Sequence, residues 1–206
     1  MDKAEETKNT YNNIASLYEE KFMDMTFYNE TYDRFCDLLD NADASILEIG
    51  CGPGNITKYL LTKSPSYQIL AIDIAEKMID LAKKNNPSAE FKVLDAQSIA
   101  TLPGKFNGIV AGFCIPYLDP LETETFIQNA YQLLTIDGII YISFVEGSVS
   151  EYKTGSGGRV YFYYHQLQEL KEILALHQFH SMEIFNVKYP TKGDNSEIHT
   201  ILIAKK

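Results

Sequence analysis

Short apolar runs that alternate with helical stretches after residue 44 are the feature that most constrains how this chain can fold. The runs are nearly continuous in apolar residues, as in strands that are buried on both faces of a sheet. Because helices must then cover both faces, the pattern predicts a doubly wound α/β fold with a mostly parallel sheet. The predicted strands are 46–49, 69–72, 91–94, 109–113 and 139–145, and the predicted helices between them are 56–62, 76–84 and 121–134.

The first 40 residues have a helical pattern with no strand-like run. Apolar side chains recur there every three or four positions and charged ones lie between them, which predicts one apolar helix face. We therefore divide the chain into an N-terminal helical cap, 1–40, and a ligand-binding domain, 41–206. The residues of the first apolar face are Tyr11, Ile14, Leu17, Tyr18 and Phe22.

The last third of the chain departs from the alternating pattern. Residues 146–160 are polar and rich in glycine, and their length predicts a lid or a substrate loop. A helix is predicted at 165–176, followed by strands at 182–187 and 198–204. Since no helix separates these two strands, they are expected to be antiparallel. The turn formers between them are Pro190, Gly193 and Asp194.

Charge narrows the classes of partner. The 206 residues hold 28 acidic and 18 basic side chains, a net charge of −10, and only two of the basic residues are arginine. Nucleic-acid binding relies on clustered Lys and Arg, so no nucleic-acid partner is expected. The field of such a chain favours a cationic small molecule.

The cysteines and the apolar stretches bear on location. The three cysteines, Cys36, Cys51 and Cys114, have no metal-ligand spacing and fit a reducing cytoplasm. The longest mostly apolar stretch, 108–118, is too short to cross a bilayer, and the first residues lack the apolar core of a signal peptide. A cytoplasmic protein without a metal site or integral membrane association is therefore expected.

The strongest local signal is the segment ILEIGCGPGNIT at 46–57, where a strand runs through a glycine-rich turn into a helix. Gly50, Gly52 and Gly54 let a ligand approach the backbone without a Cβ in the way. A dinucleotide site would need a third glycine where Asn55 stands. The turn is thus a poor fit to a dinucleotide and a good fit to a nucleoside with an amino-acid tail, with the acidic Glu48 just before it.

Acidic residues end the next two predicted strands. Asp73 can accept from both hydroxyls of a ribose, with apolar surface for an adenine face close behind. Asp95 can accept from the adenine amino group. The backbone that follows Asp95 can meet the ring nitrogens, and the fourth strand delivers 113–117 to the floor of the same crevice. The other residues of this predicted surface are Ile74, Met78, Ala96 and Gln97.

These marks, in this order, resemble the class I S-adenosylmethionine-dependent methyltransferases, in the small-molecule branch with the ubiquinone- and menaquinone-type enzymes. The resemblance covers about residues 10–205. It implies a Rossmann-like seven-stranded sheet with an antiparallel last strand. By the same resemblance, the glycines bracket the methionine portion of the cofactor and the N-terminal helix closes over it. The implied cofactor-binding residues are Tyr11, Tyr18, Glu48, Gly50, Cys51, Gly52, Gly54, Asp73, Ile74, Met78, Asp95, Ala96, Gln97 and Phe113.

One motif bears on the acceptor. Amino-methylating nucleic-acid enzymes carry an Asn/Asp-Pro-Pro-Tyr box, and only Pro116 and Tyr117 of it are present, which argues against a base-methylating enzyme. His165 and Tyr117 are the predicted catalytic residues, in each case as a general base. Arg159 is a weaker candidate for anchoring an acidic acceptor.

The predicted function is methyl transfer to O, N or C of a small acceptor. Two alternatives stay open at this point. One is a cofactor-binding protein without catalysis, acting as a sensor or partner subunit. The other is an NAD-dependent oxidoreductase. The chain is expected to act as a monomer or a homodimer.

Overall fold

The computed structural model describes residues 2–191 and 195–206, and it has a seven-stranded sheet with a separate two-stranded hairpin. The predicted turn residues Gly193 and Asp194 lie outside the described residues. The strands of the large sheet are β1 (Ser45–Ile49), β2 (Gln68–Asp73), β3 (Glu90–Val93), β4 (Phe106–Ala111), β5 (Leu134–Val145), β8 (His180–Pro190) and β9 (Ser196–Lys205), and the hairpin consists of β6 (Glu151–Gly155) and β7 (Gly158–Phe162).

The strand order of the large sheet is β3-β2-β1-β4-β5-β9-β8. Pairings among the first five strands are parallel, whereas β9 is antiparallel to both of its neighbours. This confirms the predicted doubly wound fold and the antiparallel last strand. The order reverses between β1 and β4, and the crevice outside the carboxyl ends of such strands is where α/β sheets bind ligands.

The described residues form six α-helices: α1 (Lys3–Phe22), α2 (Asn29–Asp37), α3 (Asn55–Lys63), α4 (Glu76–Asn85), α5 (Pro120–Leu133) and α6 (Leu167–Leu176). Side chains of α2, α3 and α4 form the core on one face, and those of α5 and α6 form the core on the other. Gly108 of β4 lets α2 pack closely, because a Cβ there would lie 2.5 Å from the ring of Phe35. The nearly continuous apolar runs of the strands follow from this two-sided burial.

The glycine-rich segment 146–160 differs from the predicted loop, since much of it forms the β6–β7 hairpin. Gly155 pairs with Gly158, whose φ of +140° makes the tight turn. The hairpin packs on α1, where the Thr10 hydroxyl donates to the Arg159 carbonyl and the Arg159 guanidinium pairs with Glu6. The segment is therefore built against α1.

Among the described residues, no helix combines the length and the apolar character that a bilayer span requires.

The start of α5 gives a test of local stability. Asp119 accepts from the Glu122 backbone N–H at 2.9 Å, and the Glu122 carboxylate accepts from the Asp119 backbone N–H at 2.8 Å. Because this reciprocal pair satisfies donors that the helix leaves free, Asp119→Ala is expected to lower the free energy of unfolding by about 1 kcal/mol. Urea denaturation beside the exposed control Gln128→Ala measures the difference. Equal stability of the two variants would show that the cap contributes nothing.

Candidate active site

A narrow cavity of about 120 Å³ runs along the carboxyl ends of β1, β2 and β4 and beneath α1. Backbone and side chains from all of these elements line it, together with the segment after β3. Among the described residues around it, none is Lys or Arg. The lining residues are Ala4, Thr7, Tyr11, Tyr18, Gly50, Gly52, Asp73, Ile74, Met78, Leu94, Asp95, Ala96, Gln97, Gly112, Phe113, Cys114, Tyr117 and Leu118.

The glycine turn after β1 forms one wall of this cavity. Gly50 and Gly52 have φ values of +70° and +53°, a region that side chains disfavour. The turn is held to β2, because the N–H groups of Gly50 and Cys51 donate to the Ile72 carbonyl at 2.9 and 3.0 Å. The sequence thus places bare backbone at the cavity wall.

Asp73 lies at the end of β2 with its carboxylate at the cavity. One oxygen accepts from the Gly52 N–H and the other from the Ala75 N–H, both at 2.9 Å. Burial raises the pKa of Asp73, and these backbone hydrogen bonds oppose the rise. The side chain is therefore fixed in orientation, and its remaining lone pairs can accept from a ligand.

The segment after β3 supplies the opposite end of the cavity. Asp95 accepts from the Gln97 N–H at 2.9 Å, which orients its carboxylate. The apolar side chains of Ile74 and Met78 line the same cavity. Ala96 and Gln97 also line the cavity, and the Gln97 amide donates to Glu122 at 2.9 Å.

Tyrosines close the cavity from above. The Tyr11 and Tyr117 hydroxyls are hydrogen-bonded to each other, which joins α1 to the segment after β4. Their rings meet edge to face with centroids 5.5 Å apart, and Tyr18 lies against Tyr11 in the same way at 5.8 Å. Phe113 completes the group with a φ of +54°, its N–H donating to the Ser143 hydroxyl. A left-handed backbone is uncommon for a residue other than glycine.

A second and larger cavity of about 430 Å³ opens from this tyrosine group. Its walls are mainly aromatic, and they also carry two lysines, Lys21 and Lys153, one carboxylate, Glu197, and one imidazole, His199. Its size is typical of a small-molecule site. The seven residues that line both cavities are Tyr11, Tyr18, Gly50, Gly52, Gly112, Phe113 and Tyr117.

Three residues of the predicted cofactor-binding set line neither cavity. Glu48 is fully buried in β1, where its carboxylate accepts from the Thr57 hydroxyl. Cys51 is buried in the core beside α3. Gly54 is the left-handed residue that begins α3, with φ of +85°. The Glu48 and Cys51 side chains point into the core behind the turn, and contact of these three residues with the cofactor stays a prediction.

The predicted catalytic role of His165 is not supported. The residue is buried, its Nε2 lies 3.0 Å from the Ile115 carbonyl oxygen, and it lines neither cavity. Burial also lowers its pKa. Helix α6 begins only at Leu167, so the histidine belongs to the connection that packs against the segment after β4. The Arg159 guanidinium donates to the carboxylate of Glu6 on α1, so its predicted role in anchoring an acceptor is likewise not supported.

Five further candidate residues line the second cavity and were not predicted from the sequence: Tyr28, Lys153, Tyr189, Glu197 and His199. The available signal was a histidine within the mostly apolar last predicted strand, 198–204. No cluster of potential metal ligands occurs among residues 2–191 and 195–206.

A seven-stranded sheet in this order, with paired carboxylates and a glycine turn at its switch point, defines the class I methyltransferase architecture. Residues 46–138 match the family described as methyltransferase domain. Residues 46–138 therefore resemble a methyltransferase domain, and the predicted resemblance to S-adenosylmethionine-dependent methyltransferases is confirmed.

Two curated relatives show the range of similar proteins. The tRNA N(3)-methylcytidine methyltransferase of Schizosaccharomyces pombe is 34% identical over 58% of this chain and 43% of its own length. The malonyl-[acyl-carrier protein] O-methyltransferase of Acetivibrio thermocellus is 33% identical over 52% of this chain and 38% of its own length. The chain thus spans less than half the length of these relatives.

Solved structures agree in fold. The magnesium protoporphyrin IX methyltransferase of Synechocystis PCC 6803, solved with bound SAM, superposes with a TM-score of 0.73 at 17% identity. The match covers 100% of this chain and 98% of that one.

Proposed function

We propose that the chain is an S-adenosylmethionine-dependent methyltransferase that acts on a small-molecule acceptor. The observation that carries the proposal is the anionic character of the first cavity, in which Asp73 and Asp95 face inward and no Lys or Arg is present among the described lining residues. Such a wall suits a ligand with hydroxyls, an amino group and a cationic sulfonium. A pyrophosphate would find no cation there.

The residues fit the parts of this cofactor. Asp73 would accept from the ribose hydroxyls and Asp95 from the adenine amino group, with Ile74 and Met78 against the ring. The bare backbone of Gly50 and Gly52 would meet the methionine portion. The tyrosine faces at the junction of the two cavities would attract a sulfonium, by about 0.5–2 kcal/mol per contact.

The cofactor supplies an activated methyl group, so the protein's own work is positioning. The two cavities meet at the tyrosine group, which places an acceptor in the second cavity next to a ligand in the first. Holding two reactants in line contributes about 7–11 kcal/mol to catalysis. Tyr11, Tyr18 and Tyr117 would shield this junction from water once both ligands are bound.

The N-terminal cap, residues 1–40, is proposed to cover the cleft of the domain at 41–206. In support, Ala4, Thr7, Tyr11 and Tyr18 of α1 line the first cavity. We expect α1 to move outward to admit the cofactor and then to return.

A small acceptor is favoured over a macromolecule. The second cavity is walled by side chains from α1, the hairpin and β9, and the chain carries a net charge of −10. One relative is named for tRNA and another for an acyl-carrier protein substrate. The charge argues against a polyanion such as tRNA.

Calorimetric titration tests the proposal. S-adenosylmethionine and S-adenosylhomocysteine are each expected to bind with a Kd in the micromolar range, and NAD is expected to show no saturable heat. Failure of both sulfur compounds to bind at millimolar concentration would overturn the proposal, and tight NAD binding would favour an oxidoreductase. A sensor without catalysis would bind S-adenosylmethionine yet form no S-adenosylhomocysteine with any acceptor.

A further inference from the structure

Three polar side chains form a hydrogen-bonded chain in the wall of the second cavity. The Tyr28 hydroxyl lies 2.6 Å from Nδ1 of His199. Nε2 of His199 lies 3.2 Å from a carboxylate oxygen of Glu197. All three residues line the cavity. A hydroxyl, an imidazole and a carboxylate in this order are the arrangement in which a histidine takes a proton and a carboxylate orients the ring.

The imidazole is held firmly in place. The ring of Tyr189 stacks on it at 4.7 Å with an interplanar angle of 13°, and Phe113 meets it edge to face at 4.7 Å. Phe113 also lines the first cavity, so His199 stands one side chain away from the proposed cofactor site. The histidine is 8% exposed. A group fixed by packing in this way is suited to proton transfer at a defined atom.

The surroundings of His199 determine its charge. Burial lowers its pKa, the adjacent Glu197 opposes this, and the ammonium of Lys153 on β6 lowers it further. The hydroxyls of Tyr28, just before α2, and of Tyr189 on β8 are the other titratable groups facing it. The ring is therefore neutral near pH 7. With Glu197 accepting from Nε2–H, Nδ1 is left to accept from Tyr28.

We propose that the second cavity binds a phenolic acceptor, and that Tyr28 and His199 carry away the hydroxyl proton of that acceptor during methyl transfer. The inference rests on the proposed function. Aromatic walls such as Phe22, Phe113 and Phe162 suit a planar ring. A phenol, with a pKa of about 10, is within reach of an imidazole base, whereas an aliphatic alcohol is far less acidic.

The proton and electron balance is complete with these groups. The acceptor oxygen forms a bond to the methyl carbon while the carbon–sulfur bond breaks. The electron pair of the broken carbon–sulfur bond returns to sulfur. The acceptor proton passes to the Tyr28 oxygen as the Tyr28 proton passes to Nδ1 of His199. The resulting imidazolium pairs with Glu197 and loses its proton to water after product release. Lys153, on the same wall, stabilises the developing phenolate.

Two probe acceptors of different acidity test the inference. Phenol needs a base, whereas 4-nitrophenol is already ionised at mildly alkaline pH. His199→Gln and Tyr28→Phe are expected to lower kcat/KM for phenol about 100-fold and for 4-nitrophenol only a few-fold. His180→Gln, at an exposed histidine of β8, is the matched control and should equal wild type with both probes. Formation of S-adenosylhomocysteine is the readout.

The pH profile adds a measurement that a structural role would not alter. Wild-type kcat/KM for phenol should rise with pH and level off once His199 is neutral. The profile of His199→Gln should keep rising as phenol itself ionises.

Other outcomes separate the two proposals. Equal losses on both probes would assign His199 a purely structural role and overturn the inference. Binding of S-adenosylmethionine without methylation of either phenol would overturn the substrate class while the proposed function stands. Absence of S-adenosylmethionine binding to wild type would instead overturn the proposed function. The variants themselves should bind S-adenosylmethionine within about twofold of wild type, since Tyr28 and His199 line only the second cavity.

Discussion

Replacement of Asp73 with alanine is expected to weaken S-adenosylmethionine binding about 100-fold or more. The carboxylate is the fixed acceptor at the end of β2, held by the N–H groups of Gly52 and Ala75 at 2.9 Å. Each hydrogen bond from a ribose hydroxyl to a charged acceptor contributes about 1.5–3 kcal/mol. Loss of two such bonds corresponds to about two orders of magnitude or more in Kd.

The substitution also removes the acceptor of the Gly52 N–H. The glycine turn then loses a contact that fixes its path, so a smaller loss of folding stability should accompany the loss of binding. Thermal unfolding without ligand measures that part separately from calorimetric binding.

A matched control distinguishes the local effect from the change in net charge. Asp80→Ala removes one negative charge from α4, where the side chain is exposed to solvent. Binding of S-adenosylmethionine to this variant should be close to that of wild type. Equal Kd values for Asp73→Ala and Asp80→Ala would show that Asp73 does not contact the ligand.

The central sheet was predictable from the sequence because strands that are buried on both faces are nearly continuous in apolar residues. The predicted strand at 46–49 became Ser45–Ile49, and the one at 69–72 became Gln68–Asp73. The placement of Asp73 and Asp95 followed, since parallel strands bring their carboxyl ends to one edge. These are consequences of local pattern and of short connections.

The second cavity was not predictable in this way, because its walls come from distant segments. Tyr28 and His199 are 171 positions apart and meet only when β9 enters the sheet between β5 and β8. His165 was predicted to be catalytic, yet its imidazole packs against the Ile115 carbonyl. The sequence pattern does not show whether His165 or His199 lines a cavity, since this depends on tertiary packing.

The hairpin at 146–160 shows a similar limit. Its length and its glycines predicted a lid or a substrate loop, but Tyr152 and Tyr161 pair across two short strands, of which β7 packs on α1. Packing against α1 therefore determined the structure of this segment more strongly than its glycine-rich local sequence did.

Stability should fall as pH rises through the neutral range, and Glu48→Gln should largely remove that fall. Glu48 lies inside β1, paired with Ala71 of β2 and Val110 of β4, and it is fully buried. Its Oε1 has no hydrogen-bond partner among the described residues. Burial raises the pKa of Glu48 to about 8, and the nearby charge of Asp73 contributes to the rise.

The sign of the pH effect follows from this raised pKa. Below the ordinary pKa of a glutamate, about 4.3, the side chain is protonated in both the folded and the unfolded state. Between that value and about 8, the unfolded chain loses the proton while the folded chain keeps it. Stability contributed by the protonated carboxyl is therefore lost progressively over this window, by roughly 3 kcal/mol at pH 7.

Glutamine has the same shape and no charge, so its contribution should not change over the same window. Urea denaturation of wild type and Glu48→Gln at pH 5 and pH 8 measures the difference in the free energy of unfolding. From pH 5 to pH 8, the free energy of unfolding of Glu48→Gln should rise by about 3 kcal/mol relative to that of wild type. The exposed control Glu20→Gln should show no such relative change. Parallel behaviour of wild type and Glu48→Gln would mean that Glu48 is ionised in the folded protein. A stabilising partner for its Oε1, such as a buried water, would then be required.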